Sequence, residues 1–387
     1  TAWRWHGIRE LAQLVVGTSL KDFSAAPLKL YRRLIDHHQL RWLHDGVFRM
    51  ACGAIINAMW DLWAKSESKP LWKLLVDLEP EFVVACIDWR HLQDALSPDE
   101  ALAILKTAKA QKVTREQEMS VLGPKAYCTA GWLGLSDEAI LETVLKLQET
   151  GFDAFKLKVG QDLESDVARL QFLRDALGPD QSLMVDANQY WGVDEAKEHI
   201  GHYLPFELKW VEEPIARDDV LGYCELSETF EGASFKFACG EQAASPVIFK
   251  PLLKSGGIGY CQIDAVRVAG VNDVMAIILM APKFGVPVCP HGGGIALCNM
   301  IQHYGMWDQI AVSGNSDTQL VEYIDFLQDS VEHPVQTKSG HYVTPVAPGW
   351  GLEFKADFLA DHTFPSGKIW RERPENRRGV HFECDLG

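Results

Sequence analysis

Positive charge is scarce in this sequence. Its 387 residues include 37 lysines and arginines against 53 aspartates and glutamates, a formal net charge of −16, and no segment is rich in lysine or arginine. Nucleic acids and anionic membrane surfaces are bound through clustered positive charge, so we expect neither as a partner. An anionic small-molecule substrate remains compatible with this balance, because a buried cation can dominate the field at a binding site.

Long apolar runs are also missing. The most apolar segment, residues 274–289, is interrupted by Pro282 and Lys283. A membrane-spanning helix needs about 20 consecutive apolar residues. We therefore predict a helix followed by a strand here, and no membrane segment. Low-complexity tracts and solenoid repeats are absent from the sequence as well.

Cysteine motifs are the third absence. The nine cysteines are odd in number and form no C-x-x-C motif, which argues against a zinc site and a disulfide framework. Several occur in apolar, strand-like segments such as AYCTAGW and FKFACGE. We expect buried, reduced thiols, which are typical of an intracellular compartment, cytoplasmic or mitochondrial.

From residue 126 onward the sequence alternates between strand-like and helix-like segments. The strand-like segments are AYCTAGWLG, FDAFKLKVG, SLMVDAN, LKWVEEP, FKFACGE, GYCQIDAVRV and VPVCPHGG, followed by two shorter pieces, IAVSG and VEYIDFL. Such alternation predicts βα units and a parallel sheet. About eight units close a barrel more readily than they form an open sheet. We therefore predict an α/β fold with a (β/α)7-8 TIM-like barrel.

The regions on either side of this series differ from it. We predict an N-terminal capping domain in residues 1–81, the barrel in residues 82–328 with a helical excursion at 90–125, and a C-terminal tail in residues 329–387. The tail is rich in proline, glycine and aromatic residues. We expect it to return to the N-terminal part and complete an α(+β) cap.

Local patterns also predict the secondary-structure elements that precede residue 126. Apolar spacing indicates helices at residues 4–17 and 47–77, with Pro70 starting a second helix inside the latter range. The segment FVVACIDW, residues 82–89, is typical of a strand.

One strand-like segment carries two lysines. In a strand, Lys156 and Lys158 share one face, while Phe155 and Leu157 take the other. Adjacent ammonium groups are expected to lower each other's pKa, and a lysine that deprotonates near neutral pH can act as a base. Taken alone, the segment also fits an edge strand with two solvated lysines.

Polar residues recur at the C-terminal end of strand after strand. After Lys156 and Lys158 the series is Asp186, Glu212, Glu241, Asp264, His291 and Glu322, with successive members 23 to 31 residues apart. This separation is about one βα unit. A barrel brings the C-terminal ends of its strands to one mouth, where active sites are built. We therefore expect these side chains to converge there.

The residue types divide this series by chemistry. Asp186, Glu212 and Glu241 are three carboxylates on consecutive strands, with no cysteine or histidine among them, and such oxygen ligands suit Mg²⁺ better than Zn²⁺. Glu213 should point away from the mouth and brace a neighbouring ligand.

Proton transfer is expected from the remaining members. Lys158 is the candidate base, and Asp264 is placed to orient the imidazole of His291, which can carry a proton. Glu322 either hydrogen-bonds a substrate oxygen or forms a salt bridge at the rim.

Three consecutive glycines, residues 292–294, precede a helix. A glycine turn at a helix N-terminus can bind phosphate. The alternative, which we favour, is a tight turn that lets the backbone approach the substrate, because a phosphate would not require three carboxylates nearby.

Several of these segments resemble the motifs of a known family. FKLKVG, MVDAN, WVEEP, CGEQ, QIDAVRV and CPHGGG resemble those of the enolase superfamily, in its mandelate-racemase-like branch, and the resemblance covers nearly the whole chain. CPHGGGIALCNMIQH and the excursion at 90–125 are most similar to the L-fuconate dehydratases, the fungal L-galactonate dehydratases and the eukaryotic mitochondrial members of the superfamily.

The resemblance implies a set of site residues. The Mg²⁺ ligands would be Asp186, Glu212 and Glu241; the base would be Lys158; the dyad on the opposite face would be His291 with Asp264; and the substrate would be bound by Lys156, Glu322 and Asn188.

The implied activity is that of a hydro-lyase. It would convert a six-carbon aldonate, L-fuconate or L-galactonate, into its 2-keto-3-deoxy acid, in an intracellular homo-oligomer. An acid-sugar racemase or epimerase, a non-catalytic or regulatory relative and a phosphate-binding barrel enzyme are the alternatives. Members of the family carry an antiparallel sheet ahead of the cap helices, with a loop that closes over the site. This sequence starts at Thr1 within the helices, so we expect that sheet to be missing from it.

Overall fold

The computed structural model describes residues 2–43 and 45–372, without the side chains of residues 2–6 and 327. Its helices are α1 (Ala2–Ala12), α2 (Leu20–Ala25), α3 (Pro27–Ile35), α4 (Asp45–Ser66), α5 (Leu71–Asp77), α6 (Pro80–Ala85), α7 (Pro98–Lys109), α8 (Lys112–Val121), α9 (Asp137–Glu149), α10 (Leu163–Leu177), α11 (Val193–Tyr203), α12 (Val220–Thr229), α13 (Pro246–Lys254), α14 (Val271–Met280), α15 (Leu297–Ala311), α16 (Ala356–His362) and α17 (Lys368–Glu372). Short 3₁₀ helices lie at Leu40–Trp42, Trp89–His91, Leu204–Phe206, Ala281–Phe284 and Asp325–Ser330.

The strands are β1 (Ala126–Gly131), β2 (Ala154–Lys158), β3 (Ser182–Asp186), β4 (Trp210–Glu212), β5 (Lys236–Cys239), β6 (Tyr260–Cys261), β7 (Val321–Tyr323), β8 (Thr337–Lys338) and β9 (His341–Tyr342). The first seven form one parallel sheet in the order β6-β5-β4-β3-β2-β1-β7. Their register places Lys158 opposite Asp186, and Asp186 opposite Glu212.

The segment at residues 287–291 closes the sheet into a barrel. The sequence predicts a full strand here, but the segment makes a single β-bridge, between Val288 and Cys261. On one side the His291 N–H donates to the Ile263 carbonyl at 3.0 Å, and on the other the Glu322 N–H donates to the Pro290 carbonyl at 3.2 Å. The segment contains Pro287 and Pro290, which lack the backbone N–H groups needed to extend the β-ladder. The predicted α/β TIM-like barrel is confirmed.

Side-chain caps begin several barrel helices. Ser136 at α9, Asp162 at α10 and Asp219 at α12 each accept a hydrogen bond from a backbone N–H of the first turn. Gly178 ends α10 with φ 73°, a conformation that favours glycine.

The two most buried helices follow β6 and the closing segment. Every residue of α14 and α15 is buried, which explains the strongly apolar run in this part of the sequence. Within the described residues, no helix combines the length and hydropathy that crossing a membrane requires.

Two strand predictions are wrong. Residues 82–85 complete α6, because Pro80 stands in the first helical turn, where its fixed φ favours a helix, and residues 86–88 form an irregular connection to the 3₁₀ helix that begins at Trp89. In IAVSG, residues 310–311 complete α15 and residues 312–314 form no strand. Short apolar segments do not separate strand from buried helix by pattern alone. The helix predicted at 4–17 ends at Ala12, whereas α5 follows Pro70 as predicted.

The predicted burial of the cysteines is seen over the described part of the chain. The eight cysteines there are free thiols, and all but Cys224 are buried. Cys384 lies outside the described residues.

The tail contacts the start of β1 and the N-terminal helices. The hairpin β8–β9 lies beside the start of β1, where the Tyr342 N–H donates to the Pro124 carbonyl at 3.0 Å. Farther on, the Trp350 N–H donates to Asp61 of α4 at 2.8 Å, and the Leu71 N–H at the start of α5 donates to the Gly349 carbonyl at 2.8 Å. The boundaries of the cap stay a prediction, and residues 373–387 of the predicted tail lie outside the described residues.

Candidate active site

Three carboxylates meet at the mouth of the barrel. Asp186 and Glu212 are the last residues of β3 and β4, and Glu241 follows β5 by two positions. One carboxylate oxygen from each lies within 4.8 Å of the other two, and all three side chains are buried. Neighbouring parallel strands end at the same mouth of the barrel, and they therefore bring the three predicted ligands together although these are far apart in the sequence.

Lys158 lies beside the first of these carboxylates. Its ammonium donates to Asp186 and, at 2.9 Å, to Asn188 Oδ1. The indole of Trp132 covers it, with Nζ 5.3 Å from the ring centroid. Only 8% of Lys158 is exposed, so this is a buried amine at the mouth.

Lys156 lies deeper and is fully buried. Its Nζ is 2.7 and 2.8 Å from the two oxygens of Glu212, 3.1 Å from Glu322 and 3.5 Å from Asp186. Lys156 is thus the internal counter-ion between the metal-ligand candidates and the last barrel strand.

The predicted lowering of both lysine pKa values is wrong for this arrangement. Burial does favour the neutral amines, and the Lys156 charge also acts to lower the pKa of Lys158. The carboxylates outweigh both effects, so the pKa of Lys158 is raised, chiefly by Asp186, and that of Lys156 is raised well above its ordinary value by Glu212 and Glu322. The sequence shows which lysines are adjacent, but not how closely acids from other strands approach them.

Asp264 and His291 form the predicted dyad. The imidazole Nδ1 is 2.9 Å from Asp264 Oδ2, and Nε2 is 3.1 Å from Glu241 Oε2. Burial favours the neutral ring, but Glu241 and Asp264 overcome this and raise the pKa of His291 to about 9. The imidazole of His291 therefore lies between two carboxylates, and it contacts the third carboxylate of the triad as Lys158 contacts the first.

Glu322 is an interior residue rather than a rim charge. It is buried, accepts the Gly292 N–H at 2.7 Å and the Thr129 hydroxyl, and lies 3.8 Å from His291 Nε2. The exposed salt bridge that the sequence left open is excluded.

The glycine turn has little capacity for phosphate. The Gly292 N–H is taken by Glu322, and the Gly294 N–H donates to the Gly292 carbonyl at 2.8 Å. A β-carbon on Gly293 would lie 2.5 Å from His291 Nε2. The turn is tight because the backbone folds back over the imidazole. This supports the interpretation of the three glycines as a tight turn rather than a phosphate site.

Several supporting residues escaped the sequence analysis. Gln262 donates to Glu212 Oε2 at 2.7 Å, Trp210 Nε1 donates to the same oxygen at 3.1 Å, and Arg267 Nη1 donates to the Glu241 carbonyl at 2.8 Å. Trp210 stands two residues before Glu212, and thus on the same strand face. That spacing is the signal that could have found it.

Glu213 departs from ideal strand geometry. Its φ is 36°, and the side chain is fully buried. Gln189 Nε2 donates to Glu213 Oε2 at 2.8 Å, while Oε1 has no hydrogen-bond partner among the described residues. Burial, with Glu241 and Asp186 nearby, raises the pKa of Glu213 to about 8. Glu213 thus adds to the local excess of carboxylates. A divalent cation would relieve that excess, and the three carboxylates of the triad offer the oxygen ligands that suit such an ion.

The match to a family model agrees with this geometry. Residues 139–358 match the model described as enolase C-terminal domain-like. Human mitochondrial enolase superfamily member 1 is 40% identical over 368 residues, which cover 94% of this chain and 83% of that protein. Its crystal structure superposes with a TM-score of 0.92 over the same shares of the two chains.

Two further relatives have names that state an activity. L-galactonate dehydratase of Hypocrea jecorina is 38% identical over 93% of this chain and 81% of that protein. The crystal structure of L-talarate dehydratase from Polaromonas sp. JS666, complexed with Mg and L-glucarate, superposes with a TM-score of 0.70 at 25% identity, over 92% of this chain and 83% of that one. With its barrel, its carboxylate triad and these relatives, this chain belongs to the mandelate-racemase-like branch of the enolase superfamily.

Proposed function

We propose that this chain is a Mg²⁺-dependent acid-sugar dehydratase acting on a six-carbon aldonate, L-fuconate or L-galactonate. The observation that carries the proposal is the placing of two proton-transfer groups at the two ends of one carboxylate triad. Lys158 contacts Asp186 at one end, and His291 contacts Glu241 at the other. A base and an acid separated in this way suit removal of a proton and departure of a hydroxyl from neighbouring carbons.

Asp186, Glu212 and Glu241 would hold the cation. When bound, it supplies positive charge beside the substrate carboxylate, as in enolase-superfamily sites as a class. Its charge would also compete with Lys158 for Asp186 and so cancel part of the attraction that raises the pKa of that lysine.

Lys158, once it has released its own proton to solvent, then takes the proton from C2 of the aldonate. The electron pair left behind forms the C2–C3 double bond as the C3–O bond breaks. His291, held by Asp264, gives its proton to the departing hydroxyl, which leaves as water. The enol ketonises to the 2-keto-3-deoxy acid, so that the reaction is a net loss of water.

Three residues are proposed to act on the substrate. Glu322 and Asn188 lie beside His291 and Lys158 and would hydrogen-bond substrate oxygens. Lys156 is enclosed by Glu212 and Glu322, so its effect at the substrate carboxylate would be electrostatic.

The relatives support the reaction class. One is named an L-galactonate dehydratase and another was solved with Mg and an acid sugar. We extend the name of the human relative to a proposed mitochondrial or cytoplasmic location, and we propose a homo-oligomer, which light scattering of the purified protein would test.

A panel of aldonates with Mg²⁺, scored for 2-keto-3-deoxy product beside an EDTA-treated control, tests the proposal. We expect turnover of L-fuconate or L-galactonate that disappears with EDTA. Absence of turnover with every acid sugar, in protein that is folded and binds Mg²⁺, would overturn it in favour of a non-catalytic or regulatory role.

A racemase or epimerase is the second candidate, because Lys158 and His291 at opposite ends of the triad could equally exchange a proton from two faces. Incubation in deuterium oxide separates the two. Deuterium at C2 without any 3-deoxy product would favour the racemase, whereas 3-deoxy product favours the dehydratase.

A further inference from the structure

An arginine outside the predicted site joins two of its loops. Arg169 lies in the second turn of α10, and its side chain is largely buried. Its Nη1 donates to the backbone carbonyl of Lys158 at 3.0 Å, and its Nη2 donates to the backbone carbonyl of Trp132 at 3.2 Å. One guanidinium therefore ties the end of β2 to the loop after β1.

The indole of Trp132 is itself held in place by two contacts. Trp132 Nε1 donates to the Thr129 carbonyl at 2.9 Å, and Phe326 meets the ring edge-on with centroids 5.5 Å apart. The ring face covers Lys158 Nζ at 5.3 Å. An aromatic face attracts an ammonium group and excludes water from it.

The same helix also holds the chain beyond the base. Asp166, one turn before Arg169, accepts the Gly160 N–H at 2.7 Å. The backbone on either side of Val159 is therefore anchored to α10 through two side chains. This leaves Lys158 little freedom to shift along the barrel axis.

We propose that Arg169 is a positioning residue for Lys158, because it holds the lysine and the indole of Trp132 in one fixed arrangement at the barrel mouth. The proposal rests on the proposed function, in which Lys158 is the base. A guanidinium is planar and donates through two nitrogens in a fixed fork, whereas the ammonium of a lysine is a compact point charge. Arg169→Lys therefore preserves charge and approximate volume while it removes the simultaneous hold on two carbonyls.

The kinetic test compares Arg169→Lys with Arg174→Lys. Arg174 is the matched control, since it lies on the same helix and donates to the Phe206 and Gly178 carbonyls at 3.0 Å, away from the site. A misplacement of about 1 Å at a reacting group costs on the order of 100-fold in rate. We expect Arg169→Lys to lower kcat by about 10- to 100-fold with KM and Mg²⁺ affinity nearly unchanged, and Arg174→Lys to retain kcat. Equal kcat in both variants would overturn the proposal, as would a loss confined to KM.

Substitutions at Trp132 keep the proposal testable if Arg169→Lys does not fold. Trp132→Leu removes the aromatic face and Trp132→Phe restores one. We expect kcat to fall in the first variant and to recover largely in the second. Wild-type kcat in Trp132→Leu would show that the indole does not position the base.

Crystal structures of wild type and Arg169→Lys give a readout that does not depend on turnover. We expect Lys158 Nζ and the Trp132 ring to separate by about 1 Å or more, or to occupy several conformations, in the variant. An unchanged pair would overturn the positioning proposal whatever the kinetics. If wild type turns over no acid sugar while the pair separates in the variant, the proposed function fails and the role of Arg169 stands.

Discussion

Gly293 has no space for a β-carbon because the imidazole of His291 occupies it: an added Cβ would lie 2.5 Å from Nε2. The Gly293→Ala side chain should therefore displace the ring from Glu241 and from the substrate position. We expect a loss of about 10- to 100-fold in kcat with the fold retained. Steady-state kinetics and circular dichroism check this. Gly294→Ala is the control, since the atoms nearest to its β-carbon would belong to the side chain of Leu297, at 3.3 Å or more; equal kcat in the two variants would contradict the steric argument.

Replacing Lys158 and replacing Lys156, the two lysines of β2, should have different effects on the protein. Lys158→Ala is expected to abolish turnover while the protein still folds, because Lys156 remains 3.5 Å from Asp186 as a second counter-ion. Lys156→Met leaves Glu212 and Glu322 buried without their counter-ion, and we expect a loss of about 3–5 kcal/mol in that free energy. Urea unfolding and turnover measured on both variants test the contrast. Retained activity in Lys158→Ala would remove it as the base.

Gln262 should matter for metal affinity. Its Nε2 donates to Glu212 at 2.7 Å, and loss of a group that orients a metal ligand typically costs 10- to 100-fold in affinity. We expect Gln262→Leu to weaken Mg²⁺ binding by roughly that factor in calorimetric titration. Gln319→Leu is the matched control, because Gln319 is equally buried but donates to Asp308. Mg²⁺ affinity reduced equally in both variants would point to general destabilisation.

Tyr31 joins the N-terminal helices to the barrel. Its hydroxyl donates to the buried carboxylate of Asp273, which Arg49 also contacts at 3.2 Å. Tyr31→Phe leaves that carboxylate short of a donor, and we expect a loss of about 1–3 kcal/mol in the free energy of unfolding. Tyr304→Phe is the control, since the buried Tyr304 hydroxyl has no hydrogen-bond partner among the described residues. Denaturant unfolding of both variants measures the difference, and equal losses would contradict the role of the Tyr31 hydroxyl.

His303 should make stability depend on pH. Its Nδ1 accepts the Trp72 N–H at 3.1 Å and its Nε2 lies 3.2 Å from the Trp350 carbonyl, so the neutral ring is required. Burial lowers the pKa of His303 from 6.5 to about 4. The folded protein therefore binds fewer protons than the unfolded chain between these values. The stability is complete above pH 6.5 and is lost as the pH falls toward 4, by up to about 3 kcal/mol.

Urea unfolding of wild type and His303→Gln between pH 7 and pH 4.5 measures this contribution. The variant is expected to lose less stability over that interval than wild type does. His341→Gln serves as the control because His341 is partly exposed. Parallel stability curves for wild type and His303→Gln would show that His303 does not carry the dependence.

The positions of the site residues could be predicted from the sequence to a large extent. Strand and helix segments in a βα repeat have local signatures, and a polar residue at each strand end is visible in the spacing. Asp186, Glu212 and Glu241 therefore converge as predicted. The element at residues 82–89 could not be predicted, because a short apolar segment next to a proline fits either a strand or a helix.

The sequence by itself determined the βα alternation, the phase of the polar residues along it and the oxygen chemistry of the triad, because these depend on neighbours in the chain. Only the tertiary structure decided which charged side chains lie in contact with one another. Lys156 lies between Glu212 and Glu322, and Lys158 lies beside Asp186, so both lysine pKa values rise instead of falling. Electrostatic energies depend on distances between strands and on burial, and neither quantity is carried by the local pattern.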